Sequence, residues 1–346
     1  MDFRERWLHS TPVFLAPMAG VTDAPFRDLV MNLGATAVVS EMISSEALVR
    51  QSSKTYERLL DPQKNIIKII QLMGGNPNVM AKSAIINEEL GADVIDINIG
   101  CPARKVVSNN SGAALMKNEN LVMRIVESVV KSVKIPVTLK MRLGWDNENI
   151  NFLSLAKKFE DIGIQMLAIH CRTRSQMYGG KASWSKICEL RNTVKIPYLC
   201  NGDIKSAADA ICALKESQAS GVMVGRATLG KPWLLNQIMK FLDTGEIIPS
   251  PSLEEQFEII MKHFQAVLDF YGAPRGVKIF RKHFCWYSRG LEESSNFREV
   301  INQSEDLSFI KNYVKDFYEK RFKCYHMDQE GRRDAKHNSG SGNRFL

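Results

Sequence analysis

Several features that mark specialised classes of protein are absent from this sequence. Its seven cysteines form no Cys-x-x-Cys pair, so we expect neither a disulfide framework nor a metal site. No run of about 18 or more apolar residues occurs, which argues against a membrane-spanning helix. The segment from Met1 to Trp7 carries charges of both signs and lacks the apolar core of a secretory signal. We therefore expect a cytoplasmic protein without membrane contact.

The composition is that of a globular protein. Hydrophobic residues make up 45% and charged residues 24% of the 346 residues, which is enough to build one large domain and a smaller one. The formal net charge of +8 is a moderate bias towards polyanions, although many proteins with such a charge never bind nucleic acid. Nothing in the sequence indicates an obligate protein partner, and we expect a monomer.

Short apolar runs alternate with longer amphipathic stretches in the first two thirds of the chain. This rhythm predicts eight strands, at 13–18, 37–42, 66–71, 94–99, 136–142, 166–171, 197–202 and 221–226. Helices are predicted between them, at 25–33, 77–90, 118–133, 150–162, 184–193, 205–216 and 231–242. Eight such units favour a closed (β/α)₈ TIM barrel. A doubly wound open sheet is the alternative, but the turn at 17–20 lacks the glycine-rich dinucleotide motif.

The pattern changes at 245–252, where two prolines and two serines form a linker. Residues 1–245 are therefore assigned to the barrel domain. Apolar residues then recur at helical spacing, which predicts a small all-α domain over 253–325. The polar segment 327–346 has few apolar side chains and is expected to be disordered.

Reactive and charged residues gather at the predicted strand ends, where a barrel has its active site. Cys101 follows the strand at 94–99, although a lone cysteine is more often a small buried hydrophobe. Lys140 lies within a strand, where its ammonium needs an anionic or electron-rich neighbour, such as a ligand. The residues at 201–203 and 225–226 are typical of a phosphate site at the last two strands. Together they indicate a phosphate-bearing cofactor that lies across the barrel mouth.

Six motifs carry a resemblance to a known family. They are Ala-Pro-Met-Ala-Gly-Val-Thr-Asp at 16–23, Asn-Ile-Gly-Cys-Pro at 98–102, Val-Thr-Leu-Lys-Met-Arg at 137–142, His-Cys-Arg-Thr-Arg at 170–174, Asn-Gly-Asp-Ile at 201–204 and Gly-Arg at 225–226. In order and spacing they resemble the tRNA-dihydrouridine synthases, most closely the bacterial B-type subgroup, from about residue 12 to 320. The resemblance implies an FMN-containing barrel, a helical domain that helps to hold tRNA, and NADPH as reductant, with NADH as the alternative.

The resemblance also implies roles for individual residues. Cys101 would donate the proton to C5 of uracil, and Asn98 would hold or orient the base. Lys140 would contact the pyrimidine end of the flavin. The remaining flavin contacts would come from Ala16, Pro17, Met18, Gln71, His170, Asn201, Gly202, Asp203, Gly225 and Arg226. A free thiol has a pKa of about 8.5, so the proton is still present at neutral pH, as a general acid requires.

A uridine inside a folded tRNA must be extruded before it can be reduced, so cations are expected around the pocket. The residues assigned to this substrate-binding role are Arg142, Arg172, Arg174, Arg281 and Lys282. Two other interpretations remain open on the sequence. One is an FMN-dependent oxidoreductase of small pyrimidines, similar to dihydroorotate dehydrogenase, and the other is a non-catalytic RNA-binding protein on the same fold. The sequence does not indicate which uridine would be modified.

Overall fold

The computed structural model describes residues 11–50 and 67–322. The chain divides between Ile248 and Pro249 into two compact units, called here the barrel unit and the helical unit. The predicted tail at 327–346 lies outside the described residues, as do the segment before residue 11 and the first residue of the strand predicted at 66–71. In the part of the chain that is described, no helix has the length and apolar character needed to cross a bilayer.

In the described residues of the barrel unit, nine parallel strands form one sheet. They are β1 Val13–Leu15, β2 Ala37–Val38, β3 Ile43–Ser44, β4 Ile69–Met73, β5 Val94–Ile99, β6 Val137–Arg142, β7 Met166–His170, β8 Tyr198–Asn201 and β9 Gly221–Val224. Their order is β2-β1-β9-β8-β7-β6-β5-β4-β3. Val39, next to β2 at one end of this order, forms a parallel bridge with Ile69 of β4, the strand before the other end, and so closes the sheet. The predicted (β/α)₈ barrel is confirmed.

The second predicted strand, 37–42, is interrupted in the structure and becomes β2 and β3. Between them the Ser40 hydroxyl accepts a hydrogen bond from the Gln71 N–H, 3.0 Å away. The Glu41 carboxylate accepts another from the Gly20 N–H. These two contacts, one with β4 and one with the loop after β1, lie where the chain passes from β2 to β3. The first strand also ends earlier than predicted, because Pro17 lacks an N–H and the chain then turns, with Val21 N–H bonded to the Met18 carbonyl.

Helices surround the strands, as the alternating pattern predicts. They are α1 Ala24–Asn32, α2 Ser45–Val49, α3 Pro77–Glu89, α4 Arg104–Val107, α5 Glu119–Ser132, α6 Phe152–Ile162, α7 Leu190–Thr193, α8 Ala207–Ser217 and α9 Leu234–Thr244. Helix α5 buries Val122, Ile125, Val126 and Val129, one face at helical spacing. A cluster that includes Phe14, Val94 and Leu199 forms an apolar core with residues from most of the strands. This core lies inside the barrel unit and supports the strands that carry the polar residues described below.

The helical unit consists of α-helices in its described part, as predicted. They are α10 Leu253–Tyr271, α11 Ala273–Tyr287, α12 Ser294–Gln303 and α13 at 307–322. Ser252 and Glu255 form a reciprocal capping box at the start of α10. Phe264 of α10 packs against Phe280 and Phe284 of α11, with ring centroids 4.9 and 5.0 Å apart. This aromatic cluster is the core of the unit.

Candidate active site

Three neighbouring strands place a row of polar side chains inside the barrel. Gln71 of β4 lies in register with Asp96 of β5, which lies in register with Thr138 of β6. The Thr138 hydroxyl donates to Asp96 Oδ1 at 2.7 Å, and Gln71 Nε2 donates to Asp96 Oδ2 at 2.7 Å. All three side chains are buried, so each bond is made in place of water. This row forms the floor beneath the loop that carries Cys101.

Asn98 joins this floor to the cysteine loop. Its Nδ2 donates to Gln71 Oε1 at 2.7 Å, while its Oδ1 accepts from the backbone N–H groups of Gly100 and Cys101 at 3.1 and 2.9 Å. The motif predicts that Asn98 orients the substrate base. In the structure both ends of this amide already hold the protein, so the role of Asn98 includes fixing the backbone of Cys101.

Cys101 itself is partly exposed at the end of β5. The loop behind it is closely packed, because a Cβ atom at Gly112 would lie only 2.8 Å from the Cys101 carbonyl oxygen. Burial raises the pKa of the Cys101 thiol, and this outweighs the opposing effects of the Ala103 backbone and of the cations Arg142 and Lys140. The thiol is therefore protonated at neutral pH, which is the form that can donate a proton.

Lys140 lies in register beside Asn98, on the next strand. Its Nζ donates to Asn201 Oδ1 at 3.0 Å, and Asn201 Nδ2 in turn donates to the Met223 carbonyl at 2.7 Å. Burial, reinforced by the guanidinium of Arg142, lowers the pKa of Lys140 to about 8. The ammonium is thus charged at neutral pH but poorly compensated, so an electron-rich ligand group beside it would be stabilised.

His170 ends β7 in register with Asn201. Burial lowers the pKa of His170 well below its usual range, and the surrounding cations, Lys140 first among them, act in the same direction. The imidazole is therefore neutral at physiological pH. Gly202 has φ +119, and a Cβ atom there would meet Ala182 Cβ at 2.9 Å and His170 Cδ2 at 3.0 Å. Only glycine fits this position, and it allows the chain to turn tightly beside the imidazole.

Asp203 gathers three groups at the end of β8. Its Oδ2 accepts from Arg172 Nη2 at 2.6 Å and from the Ala182 N–H at 2.9 Å, and Arg226 Nη2 lies 3.7 Å from Oδ1. Burial alone would raise the pKa of Asp203, but the hydrogen bonds from Ala182 and Arg172 outweigh it and hold that pKa below its usual range. The Arg226 side chain is about half exposed (53%), so an anion can reach its guanidinium from outside.

The motif at the end of β1 lies next to Gly225, the residue before Arg226. Ala16 donates its N–H to the Val224 carbonyl at 2.8 Å, and a Cβ atom at Gly225 would be 3.5 Å from Ala16 Cβ and 3.7 Å from Met18 Sδ. Pro17 and Met18 are partly exposed beside Ala16. The residues predicted to hold the cofactor, from Ala16 to Arg226, thus belong to strand ends at one mouth of the barrel.

Two of the arginines predicted to bind substrate have a different role in the structure. Arg142 is 1% exposed and donates to the carbonyls of Gly100, Thr173 and Met177, each at 2.8 Å. Arg172 is also 1% exposed and donates to the Gly179 and Gly180 carbonyls as well as to Asp203. Both guanidinium groups thus fix backbone loops in the structure, and a contact of either with the substrate stays a prediction.

The other predicted substrate contacts are partly exposed. Arg174 lies over the ring of Trp145, 4.5 Å from its centroid, and Lys117 lies 4.8 Å from the same ring. In the helical unit, Arg281 donates to the Ser304 carbonyl at 2.7 Å and lies 3.7 Å from Glu305, so part of its charge is compensated locally. Lys282, next to it on α11, is half-buried.

Sequence reasoning misses several residues of this mouth. It places Asp96 only in a buried strand, although an acidic residue inside such a strand is itself a signal that a partner is present. Tyr178 is 51% exposed. The centroid of its ring lies 4.7 Å from the guanidinium carbon of Arg226 and 5.7 Å from that of Arg142. No sequence pattern points to Tyr178, because its position depends on how the loop at 173–180 folds. Among the described residues, no three His, Cys, Asp or Glu side chains are placed to hold a metal ion.

Comparisons with known proteins identify the family. The family model described as dihydrouridine synthase (Dus) matches residues 14–322. A probable tRNA-dihydrouridine synthase of Rickettsia bellii is 49% identical, covering 89% of this chain and 95% of the relative. A tRNA-dihydrouridine synthase B of Pasteurella multocida is 44% identical, covering 85% of this chain and 89% of the relative. A solved structure of 6-hydroxypseudooxynicotine amine oxidase from Pseudomonas geniculata aligns with a TM-score of 0.50 at 11% identity, over 66% of this chain and 47% of that one, which indicates a common fold alone. The chain belongs to the dihydrouridine synthase family, and its relatives include B-type members, as the motifs predict.

Proposed function

We propose that this protein reduces the C5=C6 bond of specific uridines in tRNA to give dihydrouridine. The observation that carries the proposal is a protonated thiol, Cys101, held on a fixed loop beside the ammonium of Lys140 at the mouth of the barrel. Relatives that are 41–49% identical to this chain in sequence are named probable tRNA-dihydrouridine synthase or tRNA-dihydrouridine synthase B. The site and the relatives thus point to the same reaction.

The residues at the mouth fit FMN. The exposed guanidinium of Arg226 and the tight turn at Gly202 suit a phosphate and the chain leading to it, and the ammonium of Lys140 suits the pyrimidine end of the ring. When bound, FMN would supply the hydride to C6, and NADPH, or NADH as the alternative, would restore that hydride. The other flavin contacts are assigned to Ala16, Pro17, Met18, Gln71, His170, Asn201, Asp203 and Gly225.

Cys101 completes the reaction by donating its proton to C5 of the uracil ring. The proton leaves a thiolate, and the nearby cations Lys140 and Arg142 stabilise this negative charge. Solvent then returns a proton to the sulfur before the next turnover. Asn98 keeps the loop in place throughout, since its Oδ1 holds the Gly100 and Cys101 N–H groups. Asn98 thus holds the backbone of the loop in place, while the proton of the Cys101 thiol is free to leave and return.

Binding of tRNA is assigned to cations that are at least partly exposed, with the target base extruded into the pocket. Arg174 fits this role in the barrel unit, and Lys282 with the more strongly held Arg281 in the helical unit. The buried Arg142 and Arg172 contribute indirectly, because they hold the loops that line the pocket.

The test is to reduce the purified protein with NADPH without oxygen, add tRNA that lacks dihydrouridine, and follow the flavin absorbance. We expect reoxidation by tRNA and none by free uracil or orotate. A reduced flavin that responds to orotate but not to tRNA would favour a small-molecule pyrimidine oxidoreductase. Absence of flavin would favour a non-catalytic RNA-binding protein.

A variant then tests the proton donor. We expect Cys101→Ala to retain flavin and its reduction by NADPH, but to lose the tRNA-dependent step by about 100-fold or more, the usual effect of removing a general acid. A turnover on tRNA equal to that of the unchanged protein would remove Cys101 from the mechanism.

A further inference from the structure

Asp96 has no assigned role, although it is an acidic side chain inside the barrel. It is 4% exposed, and its two oxygens each accept a 2.7 Å hydrogen bond, one from Thr138 and one from Gln71. An ionised carboxylate can only accept hydrogen bonds, so the oxygen that faces Gln71 must be met by the NH₂ end of that amide. Burial raises the pKa of Asp96 in spite of these bonds. If the carboxyl takes up a proton, the oxygen that faces Thr138 can hold it, because a hydroxyl accepts hydrogen bonds as well as donating them. The hydrogen bond from Gln71 to the other oxygen is then unchanged.

This contact and the two backbone N–H groups at the other end of the chain require the same direction for the hydrogen bonds between them. With its NH₂ group on Asp96, Gln71 presents Oε1 to Asn98, which must therefore turn its own NH₂ group towards Gln71. Asn98 Oδ1 is then left facing the N–H groups of Gly100 and Cys101. The carboxylate at one end of the chain thus supports the only orientation of the two amides that satisfies the backbone N–H groups of the loop at the other end.

Without the carboxylate, the two amides can reverse together. An amide at position 96 could donate to Gln71 Oε1, Gln71 could donate to Asn98 Oδ1, and Asn98 would then point its NH₂ group at the Cys101 N–H. Two donors would face each other, and the loop would have to move to relieve the conflict. Because Arg142 also holds the Gly100 carbonyl, such a shift would change the position of the thiol relative to the rest of the site.

We propose that Asp96 is a positioning residue for Cys101, which acts by setting the orientation of the Gln71 and Asn98 amides. The proposal rests on the proposed function in so far as Cys101 is the proton donor. Its structural part, the placement of the thiol, can be measured without turnover.

The test compares three variants of the holoenzyme. Asp96→Asn removes the fixed acceptor. Thr138→Val removes the other hydrogen bond to Asp96 but leaves the contact with Gln71, so it is the matched control. The double variant Asp96→Asn/Gln71→Glu exchanges the carboxylate and the amide, so that the carboxylate, now on β4, accepts from Asn98 and from the amide at position 96. Flavin content and the thermal midpoint are measured for each.

The primary measurement is the rate at which iodoacetamide modifies Cys101, followed by mass spectrometry of the peptide. We expect at least a threefold change of this rate in Asp96→Asn, little change in Thr138→Val, and recovery in the exchange variant. Since Gln71 is also assigned to the flavin, recovery is judged by alkylation. The tRNA-dependent oxidation of Asp96→Asn should fall about 10-fold to 100-fold, as for a misplaced catalytic group, while reduction by NADPH is unchanged.

The outcomes separate the two proposals. If the unchanged protein reduces tRNA and Asp96→Asn matches it in alkylation and rate, Asp96 does not position Cys101. If Thr138→Val changes as much as Asp96→Asn, Asp96 has only a structural role. If Asp96→Asn fails to fold, the exchange variant decides. The inference is overturned if that variant folds and its rate of Cys101 alkylation still differs from that of the unchanged protein. If the unchanged protein fails to reduce tRNA, the proposed function is wrong, and the alkylation series still decides the placement of the thiol.

Discussion

In the proposed reaction Cys101 has to keep its proton until a base is in place, and its surroundings favour the protonated form. Burial opposes the thiolate, while Arg142 and Lys140 are close enough to stabilise it once the proton has left. The same two cations disfavour a further positive charge nearby, which agrees with a neutral imidazole at His170. Reactivity at this site therefore depends on burial and charge together rather than on the cysteine alone.

The protonation of Cys101 can be measured directly. Since the thiolate is the form that reacts with iodoacetamide, a raised pKa shifts the rise of the alkylation rate to higher pH. We expect the half-maximal rate for Cys101 above about pH 8.5, the pKa of an unperturbed thiol. A short unstructured peptide with one cysteine, under the same conditions, is the reference. A midpoint below that of the reference would mean that the cations outweigh burial, and a midpoint below about pH 7 would mean that Cys101 is mostly a thiolate before substrate arrives.

Gly202 combines two constraints that can be separated. We expect Gly202→Ala to destabilise the protein by about 2 to 4 kcal/mol, because φ +119 is unfavourable for alanine and the new Cβ would clash with Ala182 and His170. Gly245→Ala is the matched control, since Gly245 has φ +74 but nothing within 4 Å of an added Cβ, and should cost only about 1 kcal/mol. Urea unfolding measures both. Equal losses would show that backbone conformation, and not the close packing, determines the cost.

At the level of single residues, motifs with unusual chemistry are the predictable part of the site. Cys101 follows a strand and Lys140 lies within one, at positions where an apolar core gives no reason for a thiol or an ammonium. The sequence places Arg142 and Arg172 near strand ends but gives no sign that they hold backbone loops, because a sequence does not tell a buried guanidinium from an exposed one. Most of their partners are backbone carbonyls, which every residue carries, so no pattern could identify them.

Among the elements, the amino-terminal ends of two strands are held in the same way. The sequence Val-Lys-Ile-Pro occurs at 133–136, before β6, and again at 194–197, before β8. Glu88 of α3 accepts the N–H groups of Lys134 and Ile135 at 2.8 and 3.1 Å. Glu160 of α6 does the same for the two equivalent residues before β8. Each glutamate ties a helix to the chain entering a strand, at the end of the barrel opposite the active site, where residues serve stability.

This arrangement predicts a stability effect without a catalytic one. Glu88→Ala leaves two backbone N–H groups without their acceptor and should cost about 1 kcal/mol. Glu88→Gln should cost less, because its Oε1 can still accept both bonds. Thermal unfolding measures the difference, and turnover at about 25 °C is the control, which should be unchanged in both variants. If alanine and glutamine are equally destabilising, the negative charge and not the hydrogen bonds is responsible.

The elements are predictable where a buried strand is followed by an amphipathic helix. Strand β5 and helix α5 follow their apolar patterns closely, since strand burial and the 3.6-residue period leave a direct trace in the sequence. The break between β2 and β3 leaves none. It depends on Glu41 reaching Gly20 and on Ser40 reaching Gln71, and both partners are distant in sequence.

Across the whole molecule, the net charge of +8 is divided between cations used inside the fold and cations that face solvent. Arg142, Arg172 and, in part, Arg281 are bound to protein oxygens. Arg275 of α11 is exposed and lies 4.7 Å from the ring of Tyr271, an arrangement that suits contact with a phosphate. The exposed cations, and not the total charge, should therefore determine how binding of tRNA depends on salt.

This distinction can be tested with two substitutions of equal charge. We expect Arg275→Gln to weaken tRNA binding and to reduce the slope of log Kd against log salt by about 1, the effect of one lost phosphate contact. Lys131→Gln is the control, because Lys131 is exposed on α5 in an ion pair with Glu127 and its replacement lowers the net charge by the same amount. The slope for this control should match that of the unchanged protein. If both variants reduce the slope equally, tRNA responds to the overall charge; if neither does, α11 is not part of the tRNA-binding surface.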